Sequence, residues 1–291
     1  SAATSSTVGE QRRTNYALQT MDEDAFVAVT ESQPPRPAYF DFDAETNRRL
    51  HPLLDPSPPT LLGIDEVLAL AGGGAVLLDA REPADYAAGH LCGAVAIGLH
   101  GRFAEWAGLV LSPERDIVLV GDPASALEAR VRLGRIGYDR VVGQLDEPGV
   151  VLVTRPELHE TSSRLTIAQL AELQGLEPGL QLVDVRSPAE TAGGTIAGAQ
   201  EIPLPALTDS LSGLDRDRPV VVYCAGGTRS QVAASVMRQA GFTDVSDLLG
   251  GFAAWEAAGL PSRQGRRVDD GSWPARCASR PSTSKTPPQN I

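Results

Sequence analysis

A single cysteine stands where a predicted strand gives way to a predicted helix. In the stretch VVVYCAGGTRSQVAASVMRQAGF, residues 220–242, four residues typical of a strand precede Cys224, and a glycine-rich turn and an amphipathic run follow it. Glycines allow successive backbone N–H groups to turn toward one point, and a helix N-terminus adds partial positive charge. Arg229 adds a full positive charge nearby. These features favour the thiolate, so we predict that Cys224 is a nucleophile that attacks, and then holds, a group carrying negative charge.

A packed cysteine without a chemical role is the alternative interpretation. Cysteine is a frequent core residue, and a lone cysteine at a strand end is usually just packed there. The Gly226-Gly227 turn, the arginine at the fifth position after the cysteine and the helix that follows favour the reactive role.

The elements that must position this loop occur twice in the chain. Residues 72–97 and residues 178–202 each contain an apolar strand ending in Asp-x-Arg, a short helix-like run and a Gly-Ala turn. The aspartates of the two motifs, Asp79 and Asp184, are 105 residues apart. This spacing is too long for a solenoid unit, so it indicates two copies of one domain, which we call the first copy and the second copy.

Within each copy, short apolar strands alternate with helical patterns, which is typical of a parallel sheet covered by helices. The capping box of Thr166 and Gln169 predicts a helix that ends near Gln174. The runs LQLVDV and PVVVYC predict strands buried on both faces. Apolar residues at 232, 236 and 240 predict a helix that Gly241 ends. We therefore predict an α/β fold with two tandem domains, each a small parallel sheet with helices on both faces.

Composition excludes several classes of function. The 291 residues carry a formal net charge of −12, which argues against nucleic acid as a partner. No apolar run approaches the roughly 20 residues that cross a bilayer, so we expect no membrane partner. The three cysteines and four histidines show no CxxC, HxH or HExxH spacing, so we predict no metal site. Three sparse cysteines also make a poor disulfide framework, so we expect a reducing, cytoplasmic location. The chain begins with serine, and we expect it to be a fragment or processed product of a longer protein.

Four motifs of the second copy carry a family resemblance: Asp184-Val-Arg186, Gly198-Ala199, the loop from Cys224 to Arg229, and LLGGFAAWEAAGLP at residues 248–261. Together they resemble the rhodanese family of sulfurtransferases. The resemblance implies that Cys224 takes a sulfane sulfur from thiosulfate or a low-molecular-weight persulfide, carries it as a persulfide and passes it to a thiol acceptor. Arg229 is then the charge stabiliser. The implied substrate-binding cradle consists of Ala225, Gly226, Gly227, Thr228 and Ser230.

Asp184 and Arg186 are expected near this loop, either as part of the binding site or as a buried support pair. The pattern departs from the family at Thr195 and Ala197, where His and Pro are frequent. Those positions lie in a structural turn, so we expect little effect on the chemistry.

Loop length separates two related classes of enzyme. The phosphatases and arsenate reductases that share this architecture have five residues between Cys and Arg, which make a cradle wide enough for a tetrahedral oxyanion. Four residues stand between Cys224 and Arg229, and this smaller ring favours sulfur. A sulfurtransferase, an oxyanion enzyme and a non-catalytic pair of domains serving a persulfide dioxygenase or hydrolase stay open as functions.

The first copy resembles the same family through Asp79-Ala-Arg81 and through GHLCGA at residues 89–94, but it lacks the cysteine. Gly121 stands where the nucleophile belongs, and the carboxylate of Asp122 would repel an anion. Cys92 replaces a proline of the turn and is not expected to be catalytic. We therefore predict an inactive domain with a structural or docking role.

The first 57 residues are polar and interrupted by prolines, with MDEDAFVAVT as a short predicted helix. STVGEQRRTNYALQ and PPRPAYFDFDAETNRR resemble the C-terminal end of metallo-β-lactamase-fold domains that are fused to rhodanese domains. This resemblance implies a parent protein that handles low-molecular-weight persulfides and whose metal domain binds iron or zinc. It also implies that the chain described here docks to that domain and holds no cofactor itself. We accordingly predict this remnant over residues 1–57, the two copies over 58–154 and 160–262, and a disordered tail over 263–291 in which Cys277 is an incidental thiol.

Overall fold

The computed structural model of the protein describes residues 5–31, 38–49 and 55–263. The chain divides into two units, with the boundary between residues 53 and 54. The described part of the smaller unit is helical, and α2 confirms the helix predicted from MDEDAFVAVT. Its helices are α1 (Val8–Thr14), α2 (Glu23–Glu31) and α3 (Ala38–Arg48).

In the larger unit, the first copy is built on a parallel sheet whose central strands are completely buried, as their unbroken apolar runs require. Its strands are β1 (Val76–Asp79), β2 (His90–Leu91), β3 (Val95–Ala96), β4 (Ile117–Val120) and β5 (Val141–Leu145). Its helices are α4 (Ile64–Gly72), α5 (Pro83–Ala88), α6 (Phe103–Val110), α7 (Pro123–Gly134) and α8 (Pro148–Thr154).

The second copy, with the linker strand that precedes it, repeats this arrangement. Its strands are β6 (His159–Glu160), β7 (Ser163–Leu165), β8 (Gln181–Asp184), β9 (Thr195–Ile196), β10 (Gln200–Glu201), β11 (Val220–Tyr223), β12 (Val245–Leu248) and β13 (Ser262–Arg263). Its helices are α9 (Ile167–Leu176), α10 (Pro188–Thr191), α11 (Leu207–Ser210), α12 (Thr228–Gln239) and α13 (Gly251–Ala257).

The sheet topology confirms the duplication and the predicted fold class. The strand order is β3-β1-β4-β5 in the first copy and β10-β8-β11-β12-β7 in the second, and all neighbours within these two sheets are parallel. Where β7 pairs with β12, the first copy has an isolated parallel bridge between Leu61 and Gln144. The loops that follow β4 and β11 therefore occupy equivalent places at the carboxyl edge of each sheet.

The two copies contact each other along one face of α12. The Gln231 side-chain amide donates to the Pro83 carbonyl at 2.8 Å, and the Ala96 amide donates to the hydroxyl of Ser235 at 3.0 Å. One turn further on, the Gln239 amide reaches the Gly93 carbonyl at 3.3 Å. Residues 230–237 of α12 are all buried, including polar side chains, because the helix packs on its own sheet and against the edge strand β3 of the first copy.

One boundary predicted from sequence needs a correction. The capping box of Thr166 and Gln169 is present, and α9 ends at Leu176, near the predicted end at Gln174. Arg263, predicted to open the tail, pairs with Thr195 in an antiparallel contact between β13 and β9. The rest of the predicted tail, Cys277 included, lies outside the described residues. Within the described ranges, no helix has both the length and the apolar character to cross a membrane.

Candidate functional site

Cys224 follows β11 directly, at the carboxyl edge of the second sheet. Its Sγ accepts a hydrogen bond from the Gly227 backbone N–H at 3.1 Å and lies 3.7 Å from the hydroxyl oxygen of Ser230. The residue is 2% exposed, while Gly226 and Thr228 of the same loop are exposed. The thiol therefore lies at the floor of a loop whose rim faces solvent.

The helix that follows the loop begins without a side-chain cap. Gly227 occupies the N-cap position with φ of +99°, and no side chain accepts a hydrogen bond from the first turn of α12. The first N–H groups of a helix have no partner within the helix, and they carry the positive end of its dipole. α12 begins four residues after Cys224, so the sulfur lies near this positive helix end, and the Gly227 N–H donates to it directly. Such an arrangement stabilises a negatively charged sulfur.

The closing LLGGF motif holds the cysteine loop from below. The Phe252 amide donates to the Cys224 carbonyl at 2.7 Å, and the Ala253 amide donates to the Ala225 carbonyl at 3.0 Å. A Cβ added to Gly227 would come within 3.2 Å of the Gly250 nitrogen. From sequence this motif served only as a family marker, whereas in the structure it fixes the loop backbone.

Arg229 is held by a partner that sequence reasoning missed. Its guanidinium donates to both carboxylate oxygens of Glu190, at 2.8 and 2.6 Å. The same carboxylate accepts from the Ser187 N–H and hydroxyl, both at 2.9 Å. The Arg229 hydrogen bonds lower the pKa of Glu190 to about 2. The sequence signal was the Ser187-x-x-Glu190 capping box, which marks the start of α10 but does not reveal its distant partner.

Asp184 and Arg186 form a bidentate ion pair beneath the loop, with N–O distances of 3.0 and 2.7 Å. Both side chains are almost completely buried. The Arg186 guanidinium also donates to the Gly194 carbonyl at 2.6 Å and lies 4.0 Å from the centre of the Phe252 ring. Thr195, where the family often has His, donates its hydroxyl to Asp184 at 2.9 Å.

The first copy contains the same ion pair although it has no cysteine. Arg81 binds Asp79 with N–O distances of 3.0 and 2.6 Å and donates to the Gly89 carbonyl at 2.8 Å. The pair is therefore independent of the nucleophile. Of the two roles expected for Asp184 and Arg186, this comparison favours the buried support pair.

In the first copy, a carboxylate occupies the helix end that the second copy leaves open. Asp122 is the N-cap of α7, and its Oδ1 accepts from the Ala124 and Ser125 amides at 2.9 and 3.0 Å. The hydrogen bond from the Ser125 hydroxyl is the largest contribution to the lowered pKa of Asp122. The protein's own anion thus fills the place where an external anion would bind.

Cys92 is exposed and lies next to Gly93, which contacts the C-terminal end of α12. Because Cys224 is at the other end of this 12-residue helix, roughly 18 Å of helix separates the two regions. Although the residue is exposed, partial desolvation of the thiol, together with the nearby Glu160 carboxylate, raises the pKa of Cys92. Within the described residues, no group of three or more His, Cys, Asp and Glu side chains is placed to hold a metal ion.

A comparison with protein families matches both copies. The model of the rhodanese-like domain matches residues 64–147 and 166–258. A sulfurtransferase of Allochromatium vinosum is 42% identical over 80 residues, which are 28% of this chain and 75% of that protein. The thiosulfate sulfurtransferase GlpE of Pseudomonas aeruginosa is 38% identical over 100 residues, 34% of this chain and 89% of that protein. A solved rhodanese-related protein of Thermoplasma volcanium is 31% identical with a TM-score of 0.33, covering 35% of this chain and 98% of its own.

Proposed function

The chain belongs to the rhodanese-like domain family, and we propose that its second copy is a sulfurtransferase in which Cys224 carries a sulfane sulfur as a persulfide. The observation that carries the proposal is the 3.1 Å hydrogen bond from the Gly227 N–H to Cys224 Sγ, at the start of a helix without a side-chain cap. The relatives named as sulfurtransferases support the same reaction class.

The reaction has two displacement steps. First, the Cys224 thiolate attacks the outer sulfur of the donor; a new S–S bond forms and the S–S bond of the donor breaks. Its electron pair leaves with the remainder of the donor, which is sulfite from thiosulfate or a thiolate from an organic persulfide. Second, an acceptor thiolate attacks the outer sulfur of the Cys224 persulfide and takes it, and the Cys224 thiolate is restored. The amides of residues 225–230 stabilise the negative outer sulfur between the two steps.

The first copy takes no chemical part in this proposal. Gly121 has no side chain to attack a donor, and the Asp122 carboxylate fills the equivalent helix end. Its contribution is the surface that it places against α12.

Mass spectrometry tests the proposal directly. The full chain is incubated with thiosulfate or glutathione persulfide, and the cysteine peptides are weighed. We expect one added sulfur atom on the Cys224 peptide, its loss in Cys224→Ser, and its retention in Cys92→Ser. If Cys224 gains no sulfur from either donor, the proposal is overturned in favour of a non-catalytic pair of domains. Turnover of a phosphate ester that disappears in Cys224→Ser would instead support an oxyanion enzyme.

A further inference from the structure

Arg229 brings a full positive charge to the cysteine loop, but Glu190 already neutralises it. Two N–H groups of the guanidinium meet the two oxygens of one carboxylate, at 2.8 and 2.6 Å. That carboxylate is fixed in place by the Ser187 N–H and hydroxyl. With the pKa of Glu190 at about 2, the carboxylate is ionised at every pH at which a thiolate can be assayed.

The other arginine beneath the loop is neutralised in the same way. Arg186 forms its bidentate pair with Asp184, and both side chains are nearly inaccessible. The cradle therefore attracts an anion through backbone amides and the dipole of α12, and neither of these two arginines adds net charge.

We propose that Glu190 determines which sulfur donor the site accepts: by neutralising Arg229, it makes the cradle select an organic hydropersulfide, R–S–SH, over a dianionic donor such as thiosulfate. This specificity role rests on the proposed sulfurtransferase function.

Charge balance in the first step explains the selection. With a hydropersulfide, Cys–S⁻ and R–S–SH give Cys–S–SH and R–S⁻, so the reacting sulfur atoms carry a single negative charge throughout. With thiosulfate, Cys–S⁻ and S–SO₃²⁻ give Cys–S–S⁻ and SO₃²⁻, and three negative charges share the cradle. Like charges at contact distance repel strongly in a partly buried site unless a cation offsets them. Arg229 is the cation that could offset them, but it is already paired with Glu190.

The substitution Glu190→Gln isolates this effect. Glutamine also fits the last position of a capping box, so the start of α10 is preserved, and its carbonyl still accepts one hydrogen bond from Arg229. The variant loses the negative charge and, with the second acceptor oxygen, one of the two hydrogen bonds from Arg229. In single-turnover loading of Cys224, we expect the rate constant with thiosulfate to rise about tenfold and that with glutathione persulfide to change by less than about threefold.

Two variants serve as controls. Glu190→Asp keeps the charge, so it should keep the donor preference of the unmodified protein. Asp116→Asn also removes one carboxylate from an arginine pair, with Arg140, but Asp116 precedes β4 at the opposite edge of the first sheet. It should leave both loading rates unchanged.

The unmodified protein must itself load faster from glutathione persulfide than from thiosulfate, by at least about tenfold, and this holds whether or not the Gln variant folds. Equal loading by the two donors, or an unchanged donor ratio in folded Glu190→Gln, would overturn the role of Glu190 and leave the sulfurtransferase proposal intact. If neither donor loads Cys224 in any variant, both proposals fall together.

Discussion

Gly251 lies against the backbone of Cys224 so closely that a Cβ at position 251 would stand 2.2 Å from the Cys224 carbonyl oxygen. Gly251 also has φ of +57°, a conformation that residues with a side chain rarely adopt. The next amide, that of Phe252, donates to this same oxygen at 2.7 Å. The geometry of the nucleophile's backbone thus depends on the absence of a side chain 27 residues later in the chain.

Gly251→Ala should therefore displace the cysteine loop. We expect the free energy of unfolding to fall by more than about 2 kcal/mol, since a backbone clash adds to the conformational strain, and sulfur loading of Cys224 to slow. Gly259→Ala is the matched control, because Gly259 also has positive φ, +66°, but open space around its Cβ position. The free energy of unfolding of Gly259→Ala should fall by only about 1 kcal/mol, and its Cys224 should take up sulfur at the normal rate. Urea unfolding of both variants checks this, and equal losses would contradict it.

Arg186→Met should destabilise the second copy without abolishing sulfur loading of Cys224. Taking one member from a buried ion pair costs about 3–5 kcal/mol, because the other charge is left unpaired. Arg81→Met in the first copy should act in the same direction but less strongly, since the Arg81 side chain is 17% exposed and that of Arg186 only 4%. The measurements are urea unfolding and sulfur loading per folded molecule. A folded Arg186→Met that no longer loads Cys224 would show that the pair belongs to the binding site.

Asp122→Ala should weaken the first copy by about 1 kcal/mol, the usual loss on removal of an N-cap side chain. Asp122→Asn can still accept the amide hydrogen bonds, so it should reduce the stability of the first copy by less. Neither variant should change sulfur loading of Cys224, because the carboxylate caps α7 and not α12. Thermal unfolding and the loading assay test the two parts separately, and altered loading would mean that the first copy acts on the reaction.

His90 should make the first copy less stable as the solution becomes acidic. Burial lowers its pKa, with a further contribution from Arg238, although Glu160 and Asp79 oppose this. The unfolded chain then binds more protons than the folded one below about pH 6.5, so this part of the stability is present above that pH and is lost as the pH falls.

The change in urea midpoint between about pH 7.5 and pH 5.5 should be smaller in His90→Gln than in the unmodified protein. Identical changes in both proteins would show that His90 does not contribute to the pH dependence.

The sequence predicted those features that are encoded locally. The duplication follows from the repeated Asp-x-Arg motif, and the strands around Val183 and Val222 follow from unbroken apolar runs. The cysteine loop follows from glycine spacing and from a helix signal; its helix begins four residues after Cys224, where about five were expected.

Features made by distant elements could not be predicted in this way. Glu190 and Arg229 are 39 residues apart. From its local sequence, Glu190 is predicted only to cap a helix, and Arg229 only to bind an anion. Gly251 looks like a helix start until the close approach of Cys224 is seen. The polar face of α12 is buried because another domain covers it, which no local pattern reveals. The metallo-β-lactamase relationship of the first 57 residues stays a prediction.

The stripe of α12 that carries Gln231, Ser235 and Gln239 has a practical consequence for anyone who dissects the protein. A second copy expressed alone would present this stripe to water, and the helix that orients the thiol would acquire new neighbours along its length. Rates obtained from such a truncated protein would describe a different helix environment, so kinetic work should begin with both copies joined.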